Sequence, residues 1–208
     1  MRHLLVLALL LSPLSARAEG ESAGRFDYWV LSLSWSPNWC ATEGEARGAP
    51  QCDRALGWTL HGLWPQYERG YPSFCQSARR DPSRRETGAM EDIMGSGGLA
   101  WHQWKKHGRC SGLASDDYFA LSRLAYERVT RPAILRRLDR TVTVDPSVIE
   151  EAFIEANPGI APDMLTVTCS AGHIQEVRLC LTRELEPRRC GADVVRDCTR
   201  PAVLEPLR

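Results

Sequence analysis

The sequence predicts an α+β fold, in which a central antiparallel β-sheet is flanked by several α-helices and stapled by disulfide bonds. Strand-like segments with alternating apolar and polar residues are mixed with helix-like segments in no regular order, which is typical of α+β domains. The even number of cysteines, eight, indicates disulfides. Since the sequence contains no repeat or long linker, we predict a single domain over residues 19–208.

Two segments near the N-terminus predict strands with a period of two. In residues 26–35, the apolar residues on one side are Trp29, Leu31, Leu33 and Trp35. The other side is more polar, so this strand should be half-buried. In residues 58–65, one face carries Trp58, Leu60 and Trp64, and the other carries Thr59, His61 and Leu63. His61 is therefore expected to face away from the tryptophans.

The rest of the chain predicts helices and a hairpin. Residues 99–108, LAWHQWKKHG, predict a short helix that Gly108 ends. Ser115 resembles the N-cap of a helix reaching about Val129, and Thr130 with Pro132 suggests another helix start. A further helix should begin at residues 145–146, with an apolar face formed by Val148, Ile149, Ala152, Phe153 and Ala156. Residues 164–181 predict a hairpin turning at 170–172, and residues 41–51 and 76–98 predict loops.

Residues 1–18 have the features of a secretory signal peptide. A basic start at Arg2 precedes an apolar run from Leu4 to Leu11, and small residues follow at Ala16 and Ala18. A membrane anchor is the weaker interpretation, because spanning a bilayer takes about 20 apolar residues. We expect cleavage after Ala18, a secreted or periplasmic monomer, and no membrane anchoring once the signal is removed.

The cysteines all lie beyond this segment, so an oxidising destination favours disulfides. The alternative is a zinc site, but the sequence has no Cys-x-x-Cys pair, and His102 and His107 are five residues apart, on different sides of a helix. An even count leaves no obvious free thiol for nucleophilic catalysis. The sequence alone permits 105 disulfide pairings.

The charge is balanced, with 26 basic and 26 acidic residues in the full sequence. Loss of residues 1–18 would remove Arg2 and Arg17, leaving 24 basic against 26 acidic residues. A balanced protein does not adhere broadly to a polyanion, so any phosphate recognition must be confined to a cleft.

Three histidines lie in two tryptophan-rich segments. His61 stands in WTLHGLWPQ, whereas His102 and His107 stand in WHQWKKHGRC, close to Lys105, Lys106 and Arg109. A lone histidine is usually structural, but histidines on polar faces beside cations suggest a paired acid and base next to a polyanion site. Gln103 and His107 are four residues apart and share a helix face.

These two segments closely resemble the active-site motifs of the ribonuclease T2 family, commonly HGLWP and HEWxKHGTC. The strand VLSLSWSP with Cys40, the NPG turn at residues 157–159 and the final cysteine cluster also resemble the family. The resemblance therefore extends over most of residues 19–208. It implies a secreted endoribonuclease acting on single-stranded RNA.

The resemblance also implies a mechanism without metal or cofactor. His107 would accept the proton of the ribose 2′-hydroxyl, and His61 would protonate the departing 5′-oxygen, giving a 2′,3′-cyclic phosphate. The roles then reverse, and water opens the ring to a 3′-phosphate. Lys106, Gln103 and protonated His102 would support the transition state. DNA lacks the 2′-hydroxyl and would not be cut.

Further site residues follow from the same resemblance. Trp64 would stack on a base with Gln66 near the base edge, although periodicity equally allows Trp64 to be core like Trp58. Tyr67, Tyr71 and Phe74 are additional aromatic candidates, and Phe74 could instead pack beside Cys75. The implied disulfides are Cys40–Cys52, Cys75–Cys110, Cys169–Cys198 and Cys180–Cys190.

Gln103 departs from the family motif, which usually has glutamate there. An amide can hydrogen-bond but carries no charge, so we expect His107 to have a lower pKa than it would beside a carboxylate. One rival interpretation is a weakened or silent member that binds RNA or a protein. A second is an unrelated secreted phosphodiesterase or phosphatase that depends on histidine.

Overall fold

The computed structural model describes residues 21–207, and the predicted signal peptide lies outside them. Its six strands within that range are β1 Tyr28–Trp35, β2 Trp58–Gln66, β3 Val142–Val144, β4 Leu165–Ser170, β5 His173–Leu181 and β6 Ala202–Leu204. They form one sheet in the order β2-β1-β5-β6-β3, with β4 paired to β5. All pairings are antiparallel except one parallel contact, between His173 of β5 and Val203 of β6. The predicted α+β class and antiparallel sheet are confirmed.

The helices of the described range are α1 Ser36–Trp39, α2 Arg84–Gly88, α3 Glu91–Met94, α4 Gly97–Lys106, α5 Ser115–Arg128 and α6 Pro146–Ala156. Tyr118 of α5, with Ile149 and Phe153 of α6, belongs to the core against one face of the sheet. None of the helices between residues 21 and 207 has the length and apolar character needed to span a membrane.

β1 is buried on both faces, which corrects the half-buried prediction. Trp29, Leu31, Leu33 and Trp35 do share the core face, as their alternation predicted. On the opposite face, Tyr28 and Val30 pack with Cys180, Cys190 and Val194. The second cover comes from the C-terminal segment, which the Cys180–Cys190 disulfide ties to β5.

β2 contains a bulge that overturns the predicted faces of two residues. Gly62 pairs with Ser32 and Leu60 pairs with Leu33, so His61 is an extra residue in the ladder. A bulge shifts the alternation by one position. Leu63 is consequently in the core with Leu60, while Trp64 lies near His61 on the other face, with ring centroids 5.3 Å apart.

Other local predictions were partly wrong. Residues 41–51 include part of a π-helical turn, Cys40–Gly44, and residues 76–98 contain α2 and α3. Met90, Ile93 and Met94 pack into the core, which holds this otherwise polar stretch in helical form. The segment after Thr130 forms only the 3₁₀ turn Ala133–Arg137.

The later helices and the hairpin match the sequence more closely. Ala114, rather than Ser115, is the N-cap of α5, and Asp145 caps α6 by accepting a hydrogen bond from Ser147 N at 3.0 Å. Val148 of α6 is 47% exposed and lies outside the buried face. The β4–β5 hairpin turns at Ala171 and Gly172, both with positive φ, as expected for a two-residue turn.

The structure joins all eight cysteines in the four pairs that the resemblance implied. Cys75–Cys110 connects the segment after β2 to the turn that follows α4. A backbone hydrogen bond from Phe74 N to Lys106 O, 2.8 Å, adds to this connection. The two histidine segments are thus held against each other both covalently and through the backbone.

Candidate active site

The seven predicted site residues line one cleft of about 350 Å³. They are His61, Trp64, Gln66, His102, Gln103, Lys106 and His107. β2 contributes the first three, α4 the next three, and the C-cap of α4 contributes His107. The cleft opens on the face of the sheet opposite the helical core, because the bulge turns Trp64 to the same side as His61.

His107 is the buried histidine of the pair. It caps the C-terminal end of α4, where its backbone N–H donates to Gln103 O at 2.9 Å. Burial, together with the positive charges of Lys106, His61 and His102, lowers the pKa of His107 to about 3. Its Nδ1 has no hydrogen-bond partner among the described residues. This environment keeps the imidazole neutral, as a proton acceptor requires.

His61, unlike His107, is partly exposed and lies beside a negatively charged group. Its Nδ1 is hydrogen-bonded to Oε1 of Glu176 on β5, and its side chain is one-third exposed to the cleft. Burial opposes the charge of Glu176, but the hydrogen bond from His61 and the charges of His61 and Arg178 outweigh it and lower the pKa of the carboxyl group. Glu176 is therefore a carboxylate, which stabilises a positively charged imidazole beside it.

Trp64 connects the two histidines. Its ring is stacked on that of His107, with centroids 5.2 Å apart and planes 25° apart, and meets the ring of His61 edge-on. Its Nε1 donates to Oε1 of Gln103 at 2.7 Å. Unlike Trp58, which is buried in the core, Trp64 lines the cleft.

The side chain of Gln103 is hydrogen-bonded to Trp64. The resemblance placed this residue beside His107, and the backbone hydrogen bond does join the two. The side-chain oxygen, however, accepts a hydrogen bond from the indole. Gln103 thus fixes the plane of the ring that lies against His107.

Basic side chains surround the cleft. Lys106 and His102 come from α4, Arg178 from β5 and Arg196 from the C-terminal segment. Partial burial, followed by the charges of Lys106, Lys105 and His61, lowers the pKa of His102. Lys106, Arg178 and Arg196 carry the positive charge with which the site can hold an anion close to both histidines.

Of the additional aromatic candidates, only Tyr71 lines this cleft, with its ring centroid 6.2 Å from that of His107. Tyr67 packs against the core. Phe74 is 56% exposed, so it does not serve as packing for Cys75.

A second cleft, of about 520 Å³, lies on the other side of His61. It shares His61, Gln175 and Glu176 with the first and is also lined by Ser34 and Thr59. His61 consequently stands between two concave surfaces. Within residues 21–207, no group of three or more His, Cys, Asp or Glu side chains is placed to hold a metal ion.

Sequence reasoning missed Glu176 and Arg178. Both lie on β5 opposite polar residues of β1, with Glu176 paired to Ser34 and Arg178 to Ser32. The signal available was their alternation with the apolar Val177 and Leu179. A second bulge, between β4 and β5, leaves Gln175 unpaired and interrupts the alternation along β5 just before Glu176. The alternating pattern of the strand is therefore difficult to recognise in the sequence.

Fold and site together define a protein of the ribonuclease T2 type. The model of the Ribonuclease T2 family matches residues 26–190. The chain therefore belongs to the ribonuclease T2 family.

Individual relatives agree with this assignment. The chain is 47% identical over 120 residues to a ribonuclease of Aeromonas hydrophila, covering 56% of this chain and 54% of the relative. It is 30% identical over 141 residues to a ribonuclease-like storage protein of Panax ginseng, covering 57% and 55%. The chain thus spans about half the length of these curated relatives. Among solved structures, trichomaglin, described as an S-like ribonuclease, has a similar fold, with a TM-score of 0.65 at 22% identity over 88% of this chain and 98% of that one.

Proposed function

We propose that this protein is an endoribonuclease that cleaves single-stranded RNA through the 2′-hydroxyl, with His107 as general base and His61 as general acid. The observation that carries the proposal is the contrast between the two imidazoles of one cleft. His107 is buried among positive charges and has a pKa of about 3, whereas His61 is hydrogen-bonded to a carboxylate. A proton acceptor and a proton donor are thus set apart by their surroundings.

In the first step, His107 accepts the proton of the 2′-hydroxyl while the 2′-oxygen forms a bond to phosphorus. The bond from phosphorus to the 5′-oxygen breaks, and His61 gives its proton to that oxygen. The products are a 2′,3′-cyclic phosphate and a free 5′-hydroxyl. In the second step, His61 accepts a proton from water while the water oxygen forms a bond to phosphorus. The bond from phosphorus to the 2′-oxygen breaks, and His107 returns a proton to that oxygen, which leaves a 3′-phosphate.

Lys106 and His102 stand where they can stabilise the additional charge of the pentacoordinate phosphorus, with Arg178 and Arg196 nearby. Trp64, Tyr71 and Gln66 offer stacking and polar contacts to a base. The two clefts beside His61 suit nucleotides on both sides of the scissile phosphate. Secretion after removal of residues 1–18 and a monomeric state belong to the same proposal.

The test is to incubate the protein, produced without residues 1–18, with RNA and with DNA in excess chelator. We expect RNA fragments with 2′,3′-cyclic phosphate ends, no DNA cleavage, and loss of activity in both His61→Ala and His107→Ala. Cleavage that the chelator abolishes, or cleavage of DNA, would contradict the proposed chemistry.

A second candidate function is a silent T2-type protein. It is favoured by Gln103, which replaces the usual glutamate, and by the relative named as a storage protein. The same assay distinguishes it, because a silent protein would leave RNA intact. We favour the ribonuclease, since His61, His107 and Lys106 are all present in the cleft.

A further inference from the structure

We propose that Glu176 is a positioning residue for the general acid, and that Arg178 holds Glu176 in place. This inference rests on the proposed function and assigns a role to two residues outside the recognised motifs. It starts from the hydrogen bond between His61 Nδ1 and Glu176 Oε1. With Nδ1 occupied, Nε2 is the nitrogen left to face the phosphate.

Burial and pairing fix the carboxylate. The Glu176 side chain is only 2% exposed, and its second oxygen accepts from Arg178 Nε at 2.8 Å and lies 2.7 Å from Arg178 Nη2. Both oxygens are therefore engaged, one by the acid and one by a cation. A buried carboxylate with this many partners has little freedom to turn, so it fixes the plane of His61.

Arg178 extends the connection to the other histidine. Its guanidinium lies 5.3 Å from the centroid of Trp64, which is itself stacked on His107. β5 thereby supports the acid directly through Glu176 and approaches the base through Arg178 and Trp64. The negative charge that Gln103 does not supply near His107 is present instead beside His61.

This arrangement matters at one moment of the reaction. When the bond from phosphorus to the 5′-oxygen breaks, Nε2 of His61 must give its proton to that oxygen. The neutral imidazole that remains keeps its proton on Nδ1, and this N–H donates a hydrogen bond to Glu176. Because the Glu176 side chain is only 2% exposed, Glu176 acts on the reaction through His61.

The test measures how fast the Glu176→Gln variant and the parent protein each cleave two different substrates. The dinucleotide UpU has an alkoxide leaving group that needs protonation, whereas uridine 3′-(4-nitrophenyl phosphate) has a leaving group that departs without it. We expect kcat for UpU to fall about 10- to 100-fold in the variant and kcat for the aryl ester to change less than about threefold. Equal losses on both substrates would overturn the positioning role.

Rescue by a shorter carboxylate separates positioning from folding. Glu176→Asp should recover part of the UpU activity, because it retains a carboxylate on the side of His61 Nδ1. A Glu176→Asp protein that is as inactive on UpU as Glu176→Gln would contradict the role. If Glu176→Gln does not fold, the two-substrate comparison made with Glu176→Asp decides.

Controls make the outcome specific. Asp92→Asn breaks an ion pair of the same type with Arg123, outside both clefts, and should leave both activities unchanged. Adding Glu176→Gln to His61→Ala should cause no further loss, because Glu176 acts through His61. A parent protein that makes no cyclic phosphate from UpU would refute the proposed function itself, whereas an active parent with an unaffected Glu176→Gln refutes only the positioning role.

Discussion

Gln103 is the residue at which the sequence departs from its family motif, and its side chain reaches Trp64. Without a carboxylate at this position, nothing offsets the burial and the positive charges that lower the pKa of His107 to about 3. His107 is therefore neutral, and able to accept a proton, even in distinctly acidic solution.

We predict that Gln103→Glu moves the acidic limb of the kcat/KM profile to higher pH. A nearby carboxylate favours the charged imidazole and raises the pKa of His107 by about one unit or more. Because the base must be neutral, activity is then lost at a higher pH as the solution is acidified. The measurement is a pH–rate profile on UpU.

The control for this variant is Gln103→Met, which removes the hydrogen bond to Trp64 without adding charge. This variant should cleave UpU more slowly than the parent, but the acidic limb of its kcat/KM profile should lie at the same pH. A profile of Gln103→Glu that overlays that of the parent would show that the charge at position 103 does not control His107.

At the level of residues, the sequence predicted His61, His107 and their neighbours as site residues because these stand in short contiguous motifs. Glu176 could not be found this way. It lies 115 positions from His61 along the chain, and the two meet only because β5 and β2 both flank β1. Such a contact depends on strand order, which a local pattern does not contain.

Among the elements, β2 shows what a single inserted residue does. Strict alternation predicts Trp64 on the face opposite His61, and the bulge reverses this. Without the bulge, Trp64 would point into the core and Leu63 into the cleft. Bulges break ladder pairing without an unambiguous signal in one sequence, so the predicted strand was correct in its extent and wrong in the faces of Leu63 and Trp64.

Gly62 adjoins the bulge, and we predict that Gly62→Ala impairs activity more than its size suggests. A Cβ atom there would clash with Nε1 of Trp64 and Oε1 of Gln103. The hydrogen bond between these atoms would have to break, and Trp64 would move from His107. We expect a loss of stability of about 1–3 kcal/mol and a lower kcat for RNA, measured by thermal unfolding and by steady-state kinetics.

Gly88→Ala is the matched control, because a Cβ atom at Gly88 in α2 meets no heavy atom within 4 Å. It should retain full activity and equal or higher stability, since alanine favours a helix more than glycine does. A Gly62→Ala protein with the same activity as Gly88→Ala would mean that the Trp64–Gln103 contact is dispensable.

For the whole molecule, the α+β class and the antiparallel sheet followed from pattern and composition, and the family resemblance supplied the disulfide pairs. The sequence did not predict that a second layer of residues would bury the other face of β1. Tyr28 and Val30 are buried by Cys190 and Val194, from a segment that has no regular secondary structure and therefore no periodicity to read.

The balanced charge of the whole chain leads to the final prediction, a shallow dependence of RNA cleavage on salt. Without residues 1–18 the protein has 24 basic and 26 acidic residues, so binding relies on the cations of the cleft. Two to three phosphate contacts by Lys106, Arg178 and Arg196 correspond to a slope of log(kcat/KM) against log[salt] of about −1.4 to −2. The measurement is oligonucleotide cleavage across a range of KCl concentrations at fixed pH.

Two adjacent lysines provide the control. Lys106 lines the cleft, whereas Lys105 lies outside it, with its Nζ 5.8 Å from the centroid of Trp101. Lys106→Gln should therefore make the slope shallower by about 0.7, and Lys105→Gln should leave it unchanged. A slope of about −4 or steeper in the parent, or an equal effect of both lysines, would indicate that RNA is held by a broad basic surface. In that case the protein would bind RNA well beyond the cleft, despite an overall charge that does not favour it.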